Sequence, residues 1–242
     1  MSPRVTAAVA ARVLRQLRHD HRTLALLLVL PCLILSLLRW MYDATPAAFD
    51  TLGPALLALI PLIVMFLVTS VTTLRERSSG TLERLLAMPV GKLDLLLGYA
   101  LAFGVLGAVQ SVLAATLCVG PLGMEVEGAA GLLVVVAVGN ALLGTSFGLF
   151  VSAFARTEFQ AVQFMPAVVF PQLLLCGLFV PRDRLPAGLD VVSDVLPLSY
   201  GVDAMSRVAA GGADVWSELG TVAGFTVVLL GLGTATLRRR TA

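Results

Sequence analysis

The residues best placed to do chemistry stand together in one polar island. It reads Arg75-Glu76-Arg77-Ser78-Ser79-Gly80-Thr81-Leu82-Glu83-Arg84-Leu85-Leu86-Ala87-Met88-Pro89-Val90-Gly91-Lys92 and lies between two long apolar runs. Four basic and two acidic residues suit it to ion pairing and docking. From Gly80 onward the pattern predicts a short helix: Gly80 or Thr81 can serve as N-cap, and Glu83 falls in the first turn, where the helix dipole favours a carboxylate. Leu82, Leu85, Leu86 and Pro89 share one face at three- and four-residue spacing, and Pro89 ends the run by disfavouring helix at Met88. An amphipathic helix of about two turns does not stand alone in water, so it needs a membrane surface or a partner groove. A loop whose arginines only fix membrane orientation is the other reading of the same residues.

The elements that must position this island are apolar. The chain of 242 residues is 58% hydrophobic and 13% charged, with a mean hydropathy of +0.93, whereas a soluble domain carries about a quarter charged residues. These values predict an integral membrane protein, and the apolar runs along the chain make it all-α with six transmembrane helices. Cys32, Cys118 and Cys176 each lie inside an apolar run, an odd number without metal-ligand spacing. His19 and His21 flank Asp20 in a basic cluster, which explains them better than a metal site does.

In chain order, residues 3–22 read as an amphipathic interfacial helix. Val5, Val9, Val13 and Leu17 make an apolar stripe, with Arg12, Arg15, Arg18 and Arg22 on another face, the pattern of a helix in the headgroup layer of anionic membrane lipid. Spans are expected over 23–40, 52–74, 93–119, 129–154, 159–180 and 219–237. The fourth carries Asn140, Gly144, Gly148 and Ser152 at four-residue intervals, a small-residue face for close helix packing. Residues 181–212 form a proline-punctuated segment with short amphipathic pieces over 185–196 and 198–210. Arg182, Asp183, Arg184 and Asp190 read there as solvated charges.

Orientation follows from the basic residues. With the N-terminus in the cytoplasm, six spans return the C-terminus there, and thirteen of the seventeen Lys and Arg residues fall on that side. Every Asp, Glu, Lys and Arg lies at or beyond an expected span end, so no intramembrane charge marks an ion pathway. The chain has no phosphate-binding G-x-x-x-x-G-K-[ST] motif; Gly91-Lys92 lacks the upstream glycine and the following hydroxyl residue. No H-E-x-x-H, paired-cysteine or G-x-S-x-G pattern is present either. No catalytic residue and no metal site is expected, and energy for any uphill step must come from a partner.

Glu76-Arg77-Ser78-Ser79-Gly80-Thr81-Leu82-Glu83-Arg84-Leu85-Leu86, followed by Pro89 and Gly91-Lys92, resembles the cytosolic signature of ABC-2 type permeases. These are the membrane subunits of ATP-binding-cassette exporters, the daunorubicin-type drug exporters among them. Gln160 to Pro166, then Leu175-Cys176-Gly177-Leu178-Phe179-Val180-Pro181, Leu185-Pro186 and Leu196-Pro197, resemble that family's fifth span and outer segment. Cys176 departs from the small hydroxyl residue often found at its place.

The resemblance implies one transmembrane domain over 1–242 that binds no cofactor itself. ATP and Mg would sit on a separate cytosolic ABC ATPase, and a second permease copy or paralogue would complete a dimer in the cytoplasmic membrane. Nucleic acid is not an expected partner. The segment 75–92 would be the coupling helix, with Leu82, Leu85 and Leu86 in a groove of the ATPase and Glu76, Arg77, Glu83 and Arg84 at its rim. Residues 181–212 would form short re-entrant helices over an exit between the two permeases. Met65, Phe66, Thr69, Gln163, Phe164, Phe170 and Gln172 are the path candidates, although helix packing explains each one singly as well. Their apolar, aromatic and uncharged character suits an amphipathic drug-like or lipid substrate. A stand-alone secondary carrier or channel, or a membrane scaffold, is the alternative.

Overall fold

The computed structural model describes residues 2–81, 85 and 91–236. These residues form helices α1 (Pro3–His19), α2 (His21–Met41), α3 (Pro46–Ser78), α4 (Lys92–Val119), α5 (Ala130–Ser152) and α6 (Glu158–Leu175). A 3-10 turn at Arg182–Arg184, α7 (Ala187–Asp194), α8 (Pro197–Ala209) and α9 (Trp216–Thr236) follow. No strand occurs among the described residues. Among the described residues five helices, α2, α3, α4, α5 and α9, are long and apolar enough to cross a membrane.

Several bounds differ from expectation for local reasons. The predicted interfacial helix does not run through to residue 22. It breaks at Asp20, whose backbone leaves the helical region (φ −92, ψ 77) and whose carboxylate accepts from Thr23 N at 3.2 Å and Thr23 Oγ1 at 2.7 Å, capping α2. The helix α3 starts at Pro46, six residues before the expected span, and continues to Ser78. Its 33 residues give about 50 Å, well beyond the roughly 30 Å of a hydrocarbon core. The helix α6 has 18 residues and stops at Leu175; Gly177 then adopts φ +91, a left-handed turn that glycine supplies without strain.

The centre of the bundle is the seam between α3 and α5. In hydrocarbon, apolar area alone does not drive helices together, so close backbone approach decides the packing. A Cβ on Gly144 would lie 2.1 Å from the carbonyl oxygen of Leu62, and one on Gly148 would lie 2.7 Å from that of Phe66. The small-residue face read from the sequence is this seam. Asn140, on the same face, abuts Gly201 of α8: a Cβ there would meet Asn140 Oδ1 at 2.1 Å.

Two apolar cores lie at opposite ends of the seam. One joins Phe49, Leu57 and Leu62 of α3 to Leu133 of α5 and Met205 of α8. The other joins Val9, Val13 and Leu17 of α1 to Leu95, Tyr99 and Phe103 of α4. The apolar stripe of α1, which its sequence assigns to lipid, is thus buried against α4. Gly98 makes that contact close, since a Cβ there would meet Val9 Cβ at 2.6 Å.

Candidate functional site at the base of the polar island

The helix α3 carries the chain out of the bundle and into the island. Successive residues of a helix point about 100° apart, so Arg75, Glu76 and Arg77 leave its last turn in three directions. Each meets a different element.

Glu76 turns inward and is only 3% exposed. Its Oε2 accepts from Arg12 Nη2 of α1 at 2.6 Å and from the Tyr99 hydroxyl of α4. The same Arg12 nitrogen donates to Tyr99 Oη at 2.9 Å, and the guanidinium carbon lies 5.9 Å from the Tyr99 ring centroid. Carboxylate, guanidinium and phenol therefore close a three-membered network in which every pair touches. Burial pulls the Arg12 pKa down, but the hydrogen bond to Glu76 and the proximity of Tyr99 outweigh it, and the net shift is upward. The charge on Arg12 is fixed.

Arg77 reaches the end of α5, where its Nη1 donates to the carbonyls of Ser152 at 3.1 Å and Ala153 at 2.8 Å. These are among the last carbonyls of a helix, which lack partners within it and favour a cation. Arg75 reaches α6, its Nε and Nη2 each donating to one oxygen of Glu158 at 3.1 Å. That fork fixes the orientation of both planar groups. Beyond them Ser78 Oγ and Ser79 N return to Arg75 O, and Gly80 adopts φ +73. The helix ends here because only a residue without Cβ takes that conformation freely.

Thr81 is helical, its Oγ1 3.0 Å from Ser79 Oγ. Leu85 is half-buried and packs on the core formed by α1 and α4. Leu82, Glu83, Arg84, Leu86 and Pro89 lie outside the described residues. Beside the junction a cavity of about 20 Å³ is bounded by Thr73, Arg77, Tyr99, Ser152 and Gly233. It is of the size that holds one water.

The seven path candidates separate. Met65, Phe66 and Thr69 are fully buried in the single chain, and Phe66 lies 6.2 Å, centroid to centroid, from Phe147 across the seam with α5. Gln172 is buried too: Nε2 donates to Val168 O at 3.0 Å, and Oε1 accepts from Leu198 N at 3.2 Å, tying α6 to the start of α8. Phe164 packs on Leu74 and Ala161. Gln163 and Phe170 are exposed on α6.

At the other end of the bundle the charges expected to be solvated include one that is not. Arg182 is ion-paired to both Asp194 and Asp203, and its guanidinium lies 5.6 Å from the Tyr200 ring centroid. This clasp binds the 3-10 turn to α7 and α8. Sequence reasoning also passed over Tyr99 and the partnership of Arg12 with Glu76. The available signal was a single phenol beside Gly98 near the start of an apolar span.

A family model described as ABC-2 type transporter matches residues 4–209. The chain is 27% identical over 196 residues to ABC transporter G family member 20 of Dictyostelium discoideum, covering 79% of this chain and 27% of that protein. It is 28% identical over 204 residues to the inner membrane transport permease YhhJ of Escherichia coli K12, covering 80% and 54%. With the probable multidrug ABC transporter permease YbhR of the same organism it shares 26% over 169 residues, covering 69% and 46%. The chain thus spans about half the length of these bacterial relatives.

Proposed function

The chain belongs to the ABC-2 type transporter family, and we propose that it is the membrane subunit of an ATP-driven exporter powered by a separate cytosolic ATPase. In this reading α6 is a sixth span; at about 27 Å it nearly matches the hydrocarbon core, and Phe179 and Val180 extend its apolar reach. Both termini face the cytoplasm, as the arginines of α1 and of residues 75–84 favour. The ATPase docks on residues 75–92, and a second permease, identical or paralogous, faces this one.

The observation that carries the reading is the triple tie of Arg75, Glu76 and Arg77 to α6, α1 and α5. A force applied to the island reaches three elements through three consecutive residues. Glu76, being buried, acts inside the permease, and Leu85 is partly taken up by the core of α1 and α4, while Thr81, Leu82, Glu83, Arg84, Leu86 and Pro89 are left to meet the partner. The uncharged side chains Gln163 and Phe170 on the outer surface of α6 are the path residues open to a second copy, and the cargo is amphipathic, drug-like or lipid.

Two measurements test this. An ATPase should co-purify with the full chain from detergent, and Leu86→Asp should abolish both that association and ATP-dependent export from vesicles. Retention of the ATPase and of export by the Asp variant overturns the docking assignment.

A further inference from the structure

The elbow between α1 and α2 leaves two cations without a counter-charge. Arg18 and Arg22 flank the break at Asp20 and are exposed, and neither forms an ion pair among the described residues. Asp20, the carboxylate between them, is occupied in capping Thr23. Nearby arginines of the same end are engaged otherwise: Arg12 by Glu76 and Arg75 by Glu158.

Directly along α2 from Arg22 runs an uncovered apolar face. Leu26, Val29, Leu33 and Leu37 recur at three- and four-residue spacing, each about half or more exposed, while Leu27, Pro31 and Leu35 take the buried side. Trp40 closes the face at 77% exposure. From Arg22 to Trp40 the helix rises about 27 Å, close to the thickness of a hydrocarbon core. The cationic head and the nearer half of the stripe, about 16 Å from Arg22 to Leu33, complement a phospholipid of one leaflet in charge and in length.

We propose that this elbow and the nearer half of the stripe bind an anionic phospholipid, with Arg18 and Arg22 holding its phosphate and an acyl chain lying along residues 26–33. The site rests on the cytoplasmic placement of α1 given above, and its occupant comes from the inner leaflet. Two arginines on one headgroup make retention of the lipid charge-dependent, whereas neutral phosphatidylcholine exchanges freely.

Native mass spectrometry of the full chain released from nanodiscs of mixed phosphatidylcholine and phosphatidylglycerol tests this. The wild-type chain should retain phosphatidylglycerol preferentially. Replacing both Arg18→Gln and Arg22→Gln should lower that retention about 30-fold, and Arg184→Gln, at an exposed arginine of the opposite end, should leave it unchanged. Equal retention by the double variant overturns the site. So does full displacement by inorganic phosphate, which would make free phosphate the ligand, or efficient Leu30→Cys cross-linking of two copies, which would make the face a protein interface. No ATP or ATPase is present, so this result and the coupling result fail independently.

Discussion

Arg12 and Glu76, 64 residues apart in the chain, meet at 2.6 Å, and the Tyr99 hydroxyl contacts both. The consequence is that α1 is not a passive anchor. It is bound to the last turn of α3 by a charged contact whose acidic partner is almost wholly removed from solvent.

Breaking that pair from one side should be costly. Glu76→Gln leaves Arg12 charged and half-buried without its counter-ion, and should destabilise the chain by about 2–4 kcal/mol, somewhat below a fully buried pair because Arg12 keeps partial access to solvent. Replacing both residues by Met should lose less than either single change. Thermal unfolding in nanodiscs of the two single variants and the double variant reads the difference.

The glycines make a graded prediction. Gly144→Ala forces a Cβ to within 2.1 Å of the Leu62 carbonyl, backbone that cannot rotate away, and should cost about 3 kcal/mol or separate α3 from α5. Gly104→Ala meets only Leu142 Cδ2 at 2.7 Å, the far end of a flexible side chain, and should cost less. Gly224→Ala meets nothing within 4 Å and should be neutral or slightly stabilising. Unfolding midpoints in one lipid should fall in that order.

Gln172→Leu should loosen the outer end. It strands the buried Leu198 N–H, whose only side-chain acceptor among the described residues is Gln172 Oε1, at a cost of about 1–3 kcal/mol. Hydrogen exchange over 197–209 should quicken while that over 92–119 stays unchanged. A uniform change over both segments would count against a local capping role.

The elbow has a pH signature. Hydrogen bonds from the Thr23 side chain and backbone hold the Asp20 carboxyl below the usual range. A lowered folded value means that the cap stabilises above the ordinary aspartate pKa of about 4 and fades as pH falls through the lower folded value. Asp20→Ala should therefore cost about 1 kcal/mol at pH 7, and the gap to wild type should close below about pH 4. Unfolding midpoints across that window measure it.

The parts legible in the sequence were those with a short-range cause. The Gly144 and Gly148 spacing signalled a backbone seam because such contacts demand small residues at a fixed interval. Prolines at Pro181, Pro186 and Pro197 delimited the outer pieces because they remove donors and fix φ. Residues whose role depends on distant partners were not legible. Nothing near Glu76 distinguishes a rim contact from a buried one; Arg12 and Tyr99 decide it. Likewise the Val9, Val13 and Leu17 stripe fits lipid and protein equally, and only the proximity of Gly98 selects protein. Arg182 looked solvated because Asp194 and Asp203 arrive from later helices.

The glycine seam also has a mechanical side. A side chain at a helix contact has rotamers and can yield like a spring; two backbones in contact have nothing to compress. Between Pro61 and Ser78, α3 is an uninterrupted rod of about 25 Å, seated on α5 near Leu62 and Phe66 at one end and carrying Arg75, Glu76 and Arg77 at the other. A swing of about 10° moves that far end by roughly 4 Å, and the stiff seat obliges α5 to follow rather than absorb it. The rod and its seat form a lever with little lost motion, and its handle is the stretch from Arg75 to Arg77.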